Sequence, residues 1–344
     1  DAKLQQIAEN KLREQLLKNT TFINMLHFGR GVFGADFGTV ALVIRNSITK
    51  DYIATYRKLF KKQGAVDTLE QKERWFFNGL GLFMRKQSSF QLITGLPIAY
   101  WISDNLLEAF KKNYSIGNIG ETRKGMVTAD NERFIRYWFE INVDNLGLNL
   151  PNRNAANESK KKWFPYQKGG VYKKWYGNNE FVVNWENDGE ELLNMKGNGY
   201  KVGSTNHNLD FIFKSAITWT KVTSSRFSAR FVDVGYLYDD ASPFCYIESG
   251  KDLKYILGLL CSKVTQEILN LINPTINYGP GNISVIPLIQ IDERTRDIVA
   301  NIVEENILIS KSEWNYYETS WEFKNHIFFI FIETSKLLVE SFNN

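Results

Sequence analysis

Cysteine, histidine and long apolar runs are what this sequence has least of. Its two cysteines, Cys245 and Cys261, stand in apolar surroundings with no C-x-x-C spacing. That argues against a disulfide framework or a zinc site, and it fits a reducing cytoplasm. His27, His207 and His326 lie far apart, each without a second ligand type at metal spacing, so they read as satisfied or solvent-facing side chains. No apolar run reaches membrane-spanning length; the stretch from His326 to Ile332 is greasy but too short, and the first residues lack the basic-then-apolar pattern of a signal peptide. There is no G-x-S-x-G elbow, Walker A loop or H-E-x-x-H, and acid pairs such as Glu190/Glu191 sit in polar turn sequence where solvation is their ordinary fate. No complete active site is legible. The first residue is Asp, which suggests a piece of a longer chain.

What is present is globular. With 344 residues, 43% hydrophobic and 14% aromatic, the chain can bury two or three cores. A net charge of +4 permits a nucleic-acid partner without demanding one. The most informative stretch, Leu26 to Asn46, holds a literal G-x-G-x-x-G at Gly29, Gly31 and Gly34. A dinucleotide site needs a helix to open directly after such glycines, because the helix N-terminus holds the pyrophosphate. Here Thr39 to Arg45 is a β-branched run of strand length, and Thr21 to His27 before the glycines is another. The glycines are therefore expected to form the wide turn of a β-hairpin carrying Val32 and Phe33.

Texture then divides the chain. Residues 1–20 have helical period; residues 51–115 read as helical connector material, with a strong helix expected from Ala99 to Lys112. Residues 116–291 are rich in Gly, Asn, Tyr and Trp, with short β runs at Arg133 to Val143, Phe181 to Trp185, Ala216 to Val222, Phe227 to Val232 and Gly235 to Asp239. Within them one long helix, Leu253 to Leu271, is expected to close before Pro274, and a short strand at Ile283 to Pro287. Residues 292–344 open with an acidic helical segment. The expected fold class is mixed α/β (α+β), a hairpin, a connector, a mixed sheet domain and a C-terminal helix.

Three patches could bind. The stretch from Lys160 to Asn179 interleaves Lys160, Lys161, Lys162, Lys168, Lys173 and Lys174 with six aromatic residues around Gly169-Gly170. Lysines neutralise phosphates and aromatics stack on bases, but lysines also guard half-buried sheet edges, and composition leaves these two readings even. A second patch offers Arg123, Lys124, Asn131, Arg133 and Arg136 around a Gly-Thr-Asp-Asn turn; Arg and Asn pair with base edges, while Asp130 and Asn131 equally suit turn backbone. A third, Thr220 to Arg226, sets hydroxyls beside Lys221 and Arg226, as a phosphate contact or an ordinary hairpin loop would.

Taken in order, GRGVFGADFGTVALVIRN, LPIAYWISD, IGETRKGMVTADNERFIRYW, KKWFPYQKGGVYKKWYGNNEFVVNWENDG, SAITWTKVTSSRFSARF, YILGLLCSKVTQEILNLINPTINYGPGNISVIPL and ISKSEWNYYETSWEF resemble the C-terminal part of PglX-type adenine-specific DNA methyltransferases of phage-exclusion (BREX) systems, over roughly residues 10–325. The element from YILGLLCSKV to VIPL is also similar to target-recognition domains of type I restriction specificity subunits. The resemblance implies that residues 1–50 end a methyltransferase fold, that 51–115 are a connector, that 116–291 are a DNA target-recognition domain and that 292–344 are a helical segment. It implies that Phe33, in the Val-Phe step before a strand ending in Val-Ile-Arg, packs on a flipped-out adenine, which a flat apolar ring would favour; the plainer reading makes Phe33 a hairpin core residue. It further implies double-stranded DNA as partner, with other defence-system subunits or the missing methyltransferase half beside it, and no membrane. The family's Asn-Pro-Pro-Tyr segment and its Gly-rich S-adenosylmethionine strand-turn are absent. The chain is thus expected to bind no cofactor and not to methylate alone, S-adenosylmethionine being implied for the parent enzyme. A protein-interaction module, with the acidic helix after residue 292 as its dock, is the second reading; carbohydrate binding is a weaker third.

Overall fold

A computed structural model describes residues 2–33, 37–61, 66–112, 114–196, 203–273 and 275–324, with the side chains of the first ten left aside. Gly34, Pro274 and the apolar run from His326 lie outside the described residues. The chain divides after Tyr114 into two compact units.

The first unit runs α1 (Ala2–Asn19), β1 (Thr21–Gly29), β2 (Thr39–Arg45), β3 (Ile53–Lys58), α2 (Leu69–Phe77), β4 (Leu82–Lys86) and α3 (Asp104–Lys111). The hairpin exists as expected: β1 and β2 pair antiparallel from Thr21↔Arg45 to Gly29↔Thr39. The helical reading of residues 51–115 needs correction. Two of its segments are strands, β3 lying parallel to β1 and β4 antiparallel to β3, giving the order β2-β1-β3-β4. In Ile53-Ala-Thr-Tyr-Arg-Lys the pattern has a period of two, so Ala54 and Tyr56 turn inward while Ile53 faces solvent. The helix expected from Ala99 begins only at Asp104, where Ser103 caps it by accepting from the Leu106 N–H. One face of the sheet packs into a core of Leu17, Phe22, Met25, Phe90 and Tyr100, with Tyr56 and Tyr100 stacked at 5.0 Å.

The second unit contains β5 (Glu121–Arg123), α4 (Asn131–Phe134), β6 (Ile135–Tyr137), α5 (Arg153–Glu158), β7 (Trp163–Gln167), β8 (Phe181–Asn184), α6 (Glu186–Leu193), β9 (Ala216–Trp219), β10 (Ala229–Val232), β11 (Leu237–Tyr238), β12 (Phe244–Tyr246), α7 (Gly250–Leu260), α8 (Lys263–Ile272), α9 (Pro280–Ser284) and α10 (Glu293–Asn315). Two small sheets organise it, in the orders β10-β9-β12-β5 and β11-β7-β8-β6. The second is embedded in a core of Phe134, Phe164, Tyr166, Val183, Trp185 and Phe213. The fold class is mixed α/β.

Three local expectations fail here for identifiable reasons. The single helix from Leu253 to Leu271 is two helices bent by 72°. Ser262 restarts the chain by accepting from the Thr265 N–H, and the Thr265 hydroxyl donates to Leu259 O at 2.6 Å, so a capping residue hidden in an apolar period makes the corner. Of the strand expected at Ile283 to Pro287, Ile283 and Ser284 end α9, which Pro280 opens where a missing N–H costs nothing, and Pro287 makes only an isolated bridge to Ser115. The strand expected from Arg133 to Val143 shrinks to β6: Asp130 accepts from the Arg133 N–H and winds the residues before it into α4.

Candidate nucleic-acid interface

Loops nominated by the sequence meet over the ends of β7 and β11. Gly125 comes so close to β11 that a Cβ there would lie 2.2 Å from Asp239 O. That approach lets Met126 N–H donate to Tyr238 O (2.6 Å) and Asp240 N–H donate to Met126 O (2.9 Å). The residues that follow, including Val127, Thr128, Ala129 and Asn131, form one wall of a cleft of about 470 Å3. Thr220, Lys221 and Val222 form the opposite wall, Lys221 N–H donating to Ala241 O and the Thr220 hydroxyl to Gly170 O. Asp239, Asp240 and Ala241 make its floor. The Gly-Gly point of the lysine-rich stretch is thereby tied to the third patch, and Asn131 of the second shares the cleft with it.

Charge in this cleft is balanced. Lys221 is paired with Asp240; Asp239 accepts from the Tyr166 hydroxyl at 2.8 Å and lies 3.8 Å from Lys168 Nζ. Burial beside those two aspartates pushes the Tyr166 hydroxyl well above its ordinary pKa, so it stays a donor. Thr128, itself buried, donates from its hydroxyl to Asn131 Oδ1 at 2.6 Å, which leaves the Asn131 amide N–H groups to point elsewhere. The cleft thus offers amide and hydroxyl hydrogen-bonding groups and paired charges instead of a net positive charge.

The other nominated residues are dispersed. Arg133 leaves this cleft and pairs with Glu191 through Nε at 2.8 Å, in a second hollow of about 620 Å3 shared with Glu186 and Glu190. Arg123 pairs with Glu121 and lies over Phe211; Arg136 donates to Ile135 O and lies over Trp163. Lys162 pairs with Glu186, Lys173 with Glu313, while Lys161 and Lys174 donate to the carbonyls of Asp144 and Cys261. Lys124, Lys160 and Arg226 are exposed, and no side-chain partner is found for them among the described residues. Nor is the lysine-rich stretch a sheet edge: β7 lies between β11 and β8, and Phe164, Tyr166 and Tyr176 are buried, so those three rings are unable to stack on bases. Lys221, Asp239 and Asp240 complete the cleft. The two aspartates escape sequence reasoning because they belong to no motif; their position just after a strand is the available signal.

In the first unit the glycine turn is filled by protein. A Cβ at Gly29 would sit 2.7 Å from the Phe60 ring and one at Gly31 2.8 Å from Val66, both glycines having positive φ. Since β2 follows the turn and no helix opens there among the described residues, Gly29 and Gly31 do not form the phosphate cradle of a dinucleotide site. Phe33 is not a core residue: it is 84% exposed with φ of 60°, next to a buried Val32.

Comparison with known proteins agrees with the resemblance. No family model matches the chain. It is 33% identical over 328 residues to the adenine-specific methyltransferase PglX of Lacticaseibacillus casei (strain Zhang), covering 92% of this chain and 26% of that protein. It is likewise 33% identical over 323 residues to the adenine-specific methyltransferase BrxX of Escherichia coli O9:H4 (strain HS), covering 92% and 25%. The chain is a homologue of the PglX and BrxX adenine-specific methyltransferases. It spans about a quarter of the length of these relatives. Among solved structures it is similar to the type IIG restriction endonuclease BpuSI (12% identity, TM-score 0.37, 86% of this chain and 40% of that one) and to the type IIL restriction-modification enzyme MmeI in complex with DNA (11%, 0.45, 89% and 40%).

Proposed function

We propose that this chain is the DNA target-recognition portion of an S-adenosylmethionine-dependent, adenine-specific methyltransferase of a BREX phage-defence system. The observation that carries the proposal is the meeting of the Met126–Asn131 loop, the Thr220–Val222 loop and the Gly169–Gly170 point at one charge-balanced cleft. Asn131 and its neighbours would read base edges there, while the uncommitted Lys124, Lys160 and Arg226 would hold phosphates. Phe33, exposed on its turn, would meet the flipped adenine, and the rest of the polypeptide would supply cofactor and catalytic segment. β2 is an edge strand, which agrees with a sheet that continues into further chain, and its exposed Val40, Val43 and Ile44 agree with apolar cover from the same source.

The test is a gel shift with duplex DNA across a salt series. Lys160→Glu with Arg226→Glu is expected to weaken binding to every duplex and to flatten the log–log salt dependence by about one for each phosphate no longer neutralised. Asn131→Ala is expected to change sequence preference instead. Binding that is absent at low salt would favour the second reading, a protein-interaction module. That reading has its own support, since α10 buries Val303, Ile307 and Trp314 on one side yet exposes Ile298, Ile302 and Ile309 on the other.

A further inference from the structure

Helix α2 lies under the glycine turn, and its buried residue is a lysine. Lys72 Nζ donates to Phe28 O at 2.9 Å and to Leu59 O at 3.4 Å, the carbonyls at the ends of the parallel neighbours β1 and β3. Burial lowers its pKa, with Asp67 nearby opposing that shift. An apolar side chain would fill this position without desolvating a charge; what the ammonium adds is the pair of hydrogen bonds to these two carbonyls. It fixes the Phe28 carbonyl, one residue before Gly29. From there the turn is held on one side by Phe60 against Gly29 and on the other by Val66 against Gly31. It carries Phe33 in a left-handed conformation, which is uncommon for a residue with a side chain.

We infer that Lys72 is a positioning residue: through the Phe28 and Leu59 carbonyls it sets the turn so that the Phe33 ring stands out from the protein at a fixed place, ready to stack on an extruded base. This rests on the proposed role of Phe33 above. Lys72 itself touches neither base nor cofactor.

The test uses the full-length methyltransferase containing this chain and a duplex with 2-aminopurine at the target adenine. Lys72→Met keeps the length and removes both donated bonds. It is expected to retain duplex affinity within about twofold, to lower kcat about tenfold at unchanged KM for DNA, and to give the altered 2-aminopurine fluorescence of Phe33→Ala. The double variant is expected to be no worse than either single one, and Lys72→Arg, which can reach both carbonyls, to restore the signal. Should Lys72→Met lose its cooperative melt, Lys72→Gln, which can still donate to one carbonyl, carries the same comparison. Wild-type kcat and fluorescence in the Lys72 variants, beside a defective Phe33→Ala, would overturn the role of Lys72 alone. A silent Phe33→Ala would overturn the stacking role itself, and the positioning role with it.

Discussion

Gly125→Ala is the substitution that most directly couples backbone packing to the cleft. The added Cβ would lie 2.2 Å from Asp239 O and 2.3 Å from both Asp239 C and Tyr238 O, all backbone atoms that no rotamer change can move aside. To reach ordinary packing distance the loop must withdraw from β11 by about 1 Å, and overpacking of this kind costs roughly 1–3 kcal/mol. Withdrawal also strains two hydrogen bonds, Met126 N–H to Tyr238 O and Asp240 N–H to Met126 O, each worth about 1 kcal/mol. A destabilisation of about 3 kcal/mol is therefore expected, read as a lowered urea midpoint at unchanged slope by tryptophan fluorescence. Gly281→Ala in α9 is the control, since a Cβ there meets nothing within 4 Å and alanine is expected to be neutral or slightly stabilising. Because Asn131 rides on the same loop, the surviving folded Gly125→Ala protein should lose sequence preference before it loses affinity for arbitrary duplex. A midpoint change equivalent to less than about 0.5 kcal/mol would refute the reasoning, for it would mean that the approach of Gly125 to β11 is not what holds the wall in place.

Two further outcomes follow from buried titratable groups. His27, half-buried, with its ring 3.0 Å from the Tyr100 hydroxyl and near Lys58, has its pKa lowered to about 4 by burial first and Lys58 second. The folded state thus binds a proton there less readily than the unfolded chain, so its contribution is full above an unfolded pKa near 6.5 and is lost as pH falls towards 4, by about 2 kcal/mol after allowance for its solvent exposure. His27→Phe should flatten the stability profile between those limits, and an unchanged profile would show that the imidazole is not the group responsible. Cys245 and Cys261 are buried, and burial pushes their thiols up to about 12 and about 11. Both should resist an aromatic disulfide reagent at neutral pH until urea unfolds the second unit; rapid labelling of the native protein would contradict their burial.

The hairpin was legible because two β-branched runs flank the glycines, and because only the presence or absence of a following helix separates a phosphate cradle from a turn. The strands β3 and β4 were not, since Arg and Lys scattered among apolar residues satisfy a helical and a strand period equally over five or six residues. The corner between α7 and α8 hid behind an unbroken apolar period; Ser262 signalled it only to a reader looking for a cap inside a helix. The cleft was half legible. Asn131 and the Thr220 loop were nominated by residue type, but the floor from Asp239 to Ala241 follows a strand far downstream of Asn131, and local pattern does not reveal which loop ends converge.

The lysine-rich stretch shows why composition alone left its two readings even. Lys173 is held by Glu313, Lys174 by the Cys261 carbonyl and Lys168 faces Asp239, partners that lie 140, 87 and 71 positions further along the chain. A lysine committed to such a partner is weak as a phosphate ligand, because releasing it to DNA first breaks a bond inside the protein, whereas a free one brings its whole charge to the encounter. Exposed pairs are worth little to stability, so the commitment is incomplete for the most open of them, and Lys162 or Lys173 could exchange a carboxylate for a phosphate at small cost. Counting basic residues therefore overstates a footprint, and the count that matters is of cations left without a carboxylate or carbonyl. By that count Lys124, which leads into the first wall of the cleft, and Arg226, which follows the second, carry more of the expected electrostatics than the denser run from Lys160 to Lys174, of which Lys160 alone is uncommitted among the described residues. Sequence preference and salt dependence should accordingly separate: substitutions inside the cleft act on the first, and those at its flanking cations on the second.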